Sequence, residues 1–77
     1  MKRYSFDIRG GEELALDEEG MMLPSIEAAQ REAANSLADL ARDISRGAEM
    51  QHLSIEVRNA AGQVAEAHLG WIVRRLQ

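Results

Sequence analysis

Two imidazoles and two carboxylates fall close together in the C-terminal third of the sequence: His52, Glu56, Glu66 and His68. Histidine with glutamate is a common ligand set for zinc and a common pair for general acid–base work. These four meet only if the chain doubles back between Glu56 and Glu66. The chemistry for that is present in Asn59-Ala60-Ala61-Gly62, where Asn opens a type I turn and Gly closes it in the left-handed region. With Asn59 opposite Gln63, Glu56 faces Glu66, Ser54 faces His68, Arg58 faces Val64 and His52 faces Gly70. All four then share one outer strand face, as a candidate polar surface site. No third organising group accompanies them, so the reading is a solvated strand face, with no metal and no cofactor expected.

A second cluster, Glu12, Glu13, Asp17, Glu18 and Glu19, has the oxygen chemistry of a hard-cation site. Its spacing departs from an EF-hand loop, and turn chemistry with solvent exposure accounts for it. The absence of cysteine excludes thiolate nucleophiles, disulfides and thiolate metal sites together. Ser25, Ser36, Ser45 and Ser54 stand in no arrangement with His and Asp that supports nucleophilic catalysis. The glycines form no phosphate cradle. The expectation is a protein that is not an enzyme.

The elements that position these residues are short. Tyr4, Phe6 and Ile8 alternate with Ser5, Asp7 and Arg9, the period of a half-buried strand. A glycine-containing loop at Gly10 to Glu12 would set Ile8 opposite Leu14 and Phe6 opposite Leu16, keeping both leucines on the apolar face. Asp17-Glu18-Glu19-Gly20 is a second turn, expected to fold Leu14–Asp17 back against Met21–Leu23. Pro24-Ser25 starts a helix and Gly47 ends it, predicting Ile26 to Arg46, with Ile26, Ala29, Ala33, Leu37, Leu40, Ala41 and Ile44 on one stripe. Leu53, Ile55 and Val57 face Leu69, Ala67 and Ala65 across the closing hairpin. The fold class expected is α+β: an antiparallel sheet of four or five short strands with one amphipathic helix on one face, ordered ββ(β)αββ. The core predicted is Tyr4, Phe6, Ile8, Leu14, Leu16, Ile26, Leu37, Leu40, Ile44, Leu53, Ile55, Val57 and Leu69.

Tyr4-Ser5-Phe6-Asp7-Ile8-Arg9-Gly10-Gly11, Asp17-Glu18-Glu19-Gly20 and Leu23-Pro24-Ser25-Ile26-Glu27-Ala28-Ala29 together resemble a family of small bacterial proteins of unknown function. The resemblance runs from about Arg3 to Ala67 and implies a fold and a bacterial origin, with no established activity. Ser5 departs from it, standing where an aromatic is common, and so does the ending from Trp71 to Gln77. The N-terminal half is also similar, more loosely, to the HicB-type antitoxin fold, an analogy of fold alone.

Composition bounds the partners. The 77 residues carry 9 Lys+Arg against 13 Asp+Glu, a net charge of -4, which argues against nucleic acid as a partner. No apolar run is long enough to span a bilayer, and no secretory apolar region follows Met1-Lys2-Arg3; the expectation is a cytoplasmic chain with no membrane partner. Of 35 apolar residues 12 are Ala, leaving 23 large enough to fill a core. A small domain with so thin a core and no staple commonly gains stability by association. A homo-oligomer is therefore expected, with an unidentified protein as a further possible partner. Residues 1–69 form the expected domain and 70–77 a tail that could serve as an interface arm. Trp71, Ile72, Val73, Leu76, Met21 and Met22 are the candidate interface. The leading functional expectation is a self-associating, non-enzymatic interaction module; the alternative is a HicB-like antitoxin or RNA-associated regulator.

Overall fold

The computed structural model describes residues 1–44, 50–72 and 74–76. Five strands and one helix follow in the order β1 (Lys2–Gly10), β2 (Glu13–Ala15), β3 (Met21–Leu23), α1 (Ile26–Ile44), β4 (Met50–Asn59) and β5 (Gly62–Ile72). The architecture is the expected α+β, an antiparallel sheet with the helix on one face. Strand order is β2-β1-β4-β5, and β3 also pairs with β1. Sequence alternation decides the faces: Tyr4, Leu53, Ile55 and Val57 are buried against Ala29, Ala33, Leu37 and Ala41 of α1. Three alanines on that stripe let the helix backbone lie close to the sheet. Ser25 caps α1, its Oγ accepting from Ala28 N at 3.1 Å while its carbonyl accepts from Ala29 N. The expected Arg46–Gly47 helix end and the side chain of Ile44 lie outside the described residues.

The closing hairpin keeps the expected register from Leu53↔Leu69 to Val57↔Ala65. Nearer the turn it differs. Arg58 pairs with Gln63 and Asn59 with Gly62, so a bulge absorbs Val64, which packs against the core instead of facing Arg58. Asn59 Oδ1 accepts from Ala61 N at 2.8 Å, and Gly62 has φ 117°, a value that L side chains rarely adopt.

Two expectations at the other end are corrected. The β1–β2 register is Ile8↔Ala15, Arg9↔Leu14 and Gly10↔Glu13. Gly11 (φ 60°) and a Glu12 without positive φ make the two-residue loop, the backbone pattern of a type II′ turn. The one-residue difference turns Leu14 to the outer face, and Leu14 and Leu16 are 44% and 62% exposed rather than buried. Nor does Leu14–Asp17 fold against Met21–Leu23. Both β2 and β3 pair with β1, as Tyr4↔Met21 and Lys2↔Leu23 show for β3, so they are two pieces of one edge interrupted by residues 16–20. Ile26 and Leu69, also predicted core, are left exposed, at the helix start and on the outermost strand respectively.

Candidate functional site

On the face away from the helix, Asp7 is 5% exposed and its carboxylate is the centre of a polar knot. Asp7 Oδ2 accepts from Arg58 Nε at 2.8 Å, and Oδ1 from Asp17 N at 2.9 Å and Arg58 Nη2 at 3.3 Å. Arg58 Nη2 also donates to the Asp17 carbonyl at 2.8 Å. Asp17 turns its own carboxylate inward, accepting from Phe6 N at 3.0 Å and from Glu19 N and Gly20 N at 3.1 Å each. The Phe6 N–H belongs to β1, and the side chain of Asp17 stands where an edge-strand carbonyl would otherwise receive it. One aspartate thus closes the turn and patches the gap between β2 and β3.

Burial pushes the Asp7 carboxyl pKa up, but the Arg58 bonds, the Asp17 N–H and the guanidinium charge outweigh it, leaving Asp7 below the ordinary carboxylate value. The Phe6 N–H, followed by those of Gly20 and Glu19, likewise holds Asp17 below that value. The Asp7 bond raises Arg58. Sequence reading missed this knot. Its signal was Asp7 on the outward parity of β1, with Arg58 on the outward parity of β4.

Of the four residues of the candidate polar site, three form a chain. His52 and His68 stack with ring centroids 5.3 Å apart, His52 Nε2 and His68 Nδ1 are 3.3 Å apart, and His68 Nε2 is 3.3 Å from Glu66 Oε1. Which ring nitrogens carry the protons sets the direction of the His52–His68 contact. Glu56 lies opposite Glu66 but turns to Arg9, whose Nε is 3.0 Å from Glu56 Oε2. Gln63 offsets the other member, donating to Glu66 Oε2 at 3.3 Å. Each strand-face charge therefore has a neighbour of opposite or neutral character. Among the described residues no group of three His, Asp or Glu could hold a metal ion, the acidic run from Glu12 to Glu19 included.

The candidate interface residues do not form one patch. Met21 and Met22, 42% and 47% exposed, lie on β3 beside the N-terminal part of β1. Trp71 and Ile72 lie at the end of β5 opposite Gln51 and Met50. Trp71 packs against the core with its indole N–H buried and without a hydrogen-bond partner among the described residues, whereas Ile72 is 60% exposed. Leu76 is exposed, and Val73 lies outside the described residues. A groove of about 630 Å³ at the β3 end is lined by Met1, Lys2, Arg3, Ser5, Met22 and Arg58, together with the turn after β4. Arg58 is bound to Asp7 and Arg3 to the Glu19 carbonyl.

Residues 3–70 match the model of a family described as a domain of unknown function, DUF6894. The chain belongs to that family. The match takes in the Asp7–Arg58–Asp17 knot, the His52–His68 stack and nearly all of β5, and stops short of Trp71. No curated protein and no solved structure matches the chain. No helix among the described residues is long and apolar enough to cross a membrane.

Proposed function

We propose that this chain is a non-enzymatic protein-interaction module of the cytoplasm that associates with itself. One observation supports the reading above others: the balance of buried and exposed large apolar side chains. Among the described residues five are buried, Tyr4, Leu37, Leu53, Ile55 and Val57, while nine are exposed, among them Leu14, Leu16, Met21, Met22, Leu69 and Ile72. Scattered exposed apolar residues are ordinary, but here they are concentrated on the two edges of the sheet, where another chain can reach them. The radius of gyration, 14.0 Å, exceeds the roughly 11.5 Å of a compact chain of this length, in keeping with a long hairpin that a single helix cannot wrap.

The test is a set of apolar-to-serine substitutions, Leu14→Ser, Met22→Ser and Ile72→Ser, followed by light scattering from micromolar to millimolar concentration. A self-associating wild type, with at least one substitution shifting the association curve and leaving the melting temperature unchanged, is the expected result. A monomeric wild type throughout that range overturns the reading. RNA that co-purifies with the chain and resists high salt overturns it in favour of the antitoxin-like or RNA-associated alternative.

A further inference from the structure

The two edges of the sheet are not equally open. Along β1 the edge is made of two three-residue strands separated by residues 16–20, with the side chain of Asp17 filling part of the gap. Such an edge cannot template a continuous partner strand. The opposite edge is β5, eleven residues with no proline and no lysine, irregular only beside its turn. Natural sheets usually blunt an exposed strand of that length, so an unblunted one marks a place where pairing is tolerated or used.

Hydrogen-bond alternation says which backbone groups are free. The Phe6 N–H points to Asp17, away from β4, so Phe6↔Val57 is a non-hydrogen-bonded pair and Val57 directs its N–H and C=O to β5. Ala65, Ala67 and Leu69, the partners of Val57, Ile55 and Leu53, therefore bond inward. Glu66, His68 and Gly70 direct their backbone groups to the open edge.

We infer that two copies join through β5, antiparallel about a two-fold axis at Ala67, into one continuous sheet. This rests on the self-association proposed above and names its partner surface. A two-fold axis through a strand fixes the register by what it sets face to face. An axis at Glu66 opposes two carboxylates, and one at His68 opposes two imidazoles. The axis at Ala67 sets each Glu66 against His68 of the second copy, with both backbone groups of each residue in the new ladder. On the helix side the same register sets Ala65 against the second copy's Leu69, a small residue beside a large one that is 38% exposed in the single chain. Charge and size favour this register over those centred on Glu66 or His68, and backbone parity permits it.

Two measurements test it together. Sedimentation equilibrium compares wild type with His68→Glu, Glu66→Arg and the double swap; Glu66→Arg removes the Glu56–Glu66 opposition and the exposed Gln63 bond together, and circular dichroism checks that each variant folds. Each single variant is expected to raise the dimer Kd, about tenfold for His68→Glu from two carboxylate pairs across the axis, and the swap to return it to within about threefold of wild type. Mixed-label NMR is expected to show contacts between the Ala65 methyl of one copy and the Leu69 methyls of the other. A dimer that ignores all three variants, or contacts running from Met21 or Met22 instead, overturns the β5 pairing and leaves self-association standing. A swap that stays folded by circular dichroism without restored affinity overturns the register. A wild type monomeric at every concentration overturns both.

Discussion

Truncating Asp7 to alanine tests whether the buried carboxylate holds the interrupted edge onto β1. The substitution strips the Asp17 N–H of its acceptor in a part-buried setting, at a cost of about 1–3 kcal/mol for the stranded donor. It also removes the two Arg58 bonds, but the Arg58 side chain is 42% exposed and can turn to water, so that pair is counted near surface value, about 0–1 kcal/mol. The loss is therefore about 1–4 kcal/mol, against a total stability of about 4–12 kcal/mol for a chain of this length. At about 4–8 °C per kcal/mol, the melting temperature falls by about 4–32 °C. Urea unfolding followed by Trp71 fluorescence measures the first, and thermal melts followed by far-UV circular dichroism the second. Asp7→Asn sharpens the result: its amide oxygen keeps the Asp17 N–H, while its NH₂ opposes Arg58 Nε, so it should fall between wild type and alanine. A loss under about 0.5 kcal/mol for Asp7→Ala would refute the assignment of Asp7 as the clamp of that edge.

Two further predictions follow from the same region. Asp7 and Asp17 both have folded pKa values below the unfolded carboxylate value of about 3.9, so the folded state binds fewer protons and their stabilisation is complete above that pH. Stability from these groups is flat from pH 7 to about 5 and declines as pH falls below about 4. Urea midpoints at pH 7, 5, 4 and 3 check it, and Asp7→Asn should flatten the acid limb. Gly20 has φ 75°, and a Cβ there would lie 2.9 Å from Arg3 Cγ and 3.0 Å from the Tyr4 carbonyl oxygen. The Gly20→Ala variant should lose about 1–3 kcal/mol by urea titration, more than loss of a glycine in an open turn.

Much of the fold was legible because local and periodic signals agreed. Asn59 and Gly62 marked a turn, the alternation on both sides of it matched, and β4–β5 paired as expected up to the bulge. Ser25 and the Ala29–Ala33–Leu37–Ala41 stripe likewise gave the start and the buried face of α1. The β1–β2 register failed because adjacent glycines permit more than one loop. Assigning Leu14 and Leu16 to the core assumed that every leucine must be buried. The DEEG segment was read as a type I turn folding one strand back on the next, yet its aspartate is chiefly a substitute for strand backbone, a role that depends on which strand lies beside it. Asp7 and Arg58 are 51 residues apart, and only the order β1-β4 brings them together. The free edge was equally hidden, since knowing that β5 is outermost requires the same strand order. Of the candidate polar site, the shared face of His52, His68 and Glu66 was legible from alternation, while the turn of Glu56 toward Arg9 was not.

The central claim is that the chain completes itself with a second copy, and sedimentation equilibrium of the unmodified protein measures this most directly. A weight-average mass rising with concentration from 8.6 kDa toward twice that value is the predicted result. A mass fixed at 8.6 kDa up to millimolar concentration would contradict it.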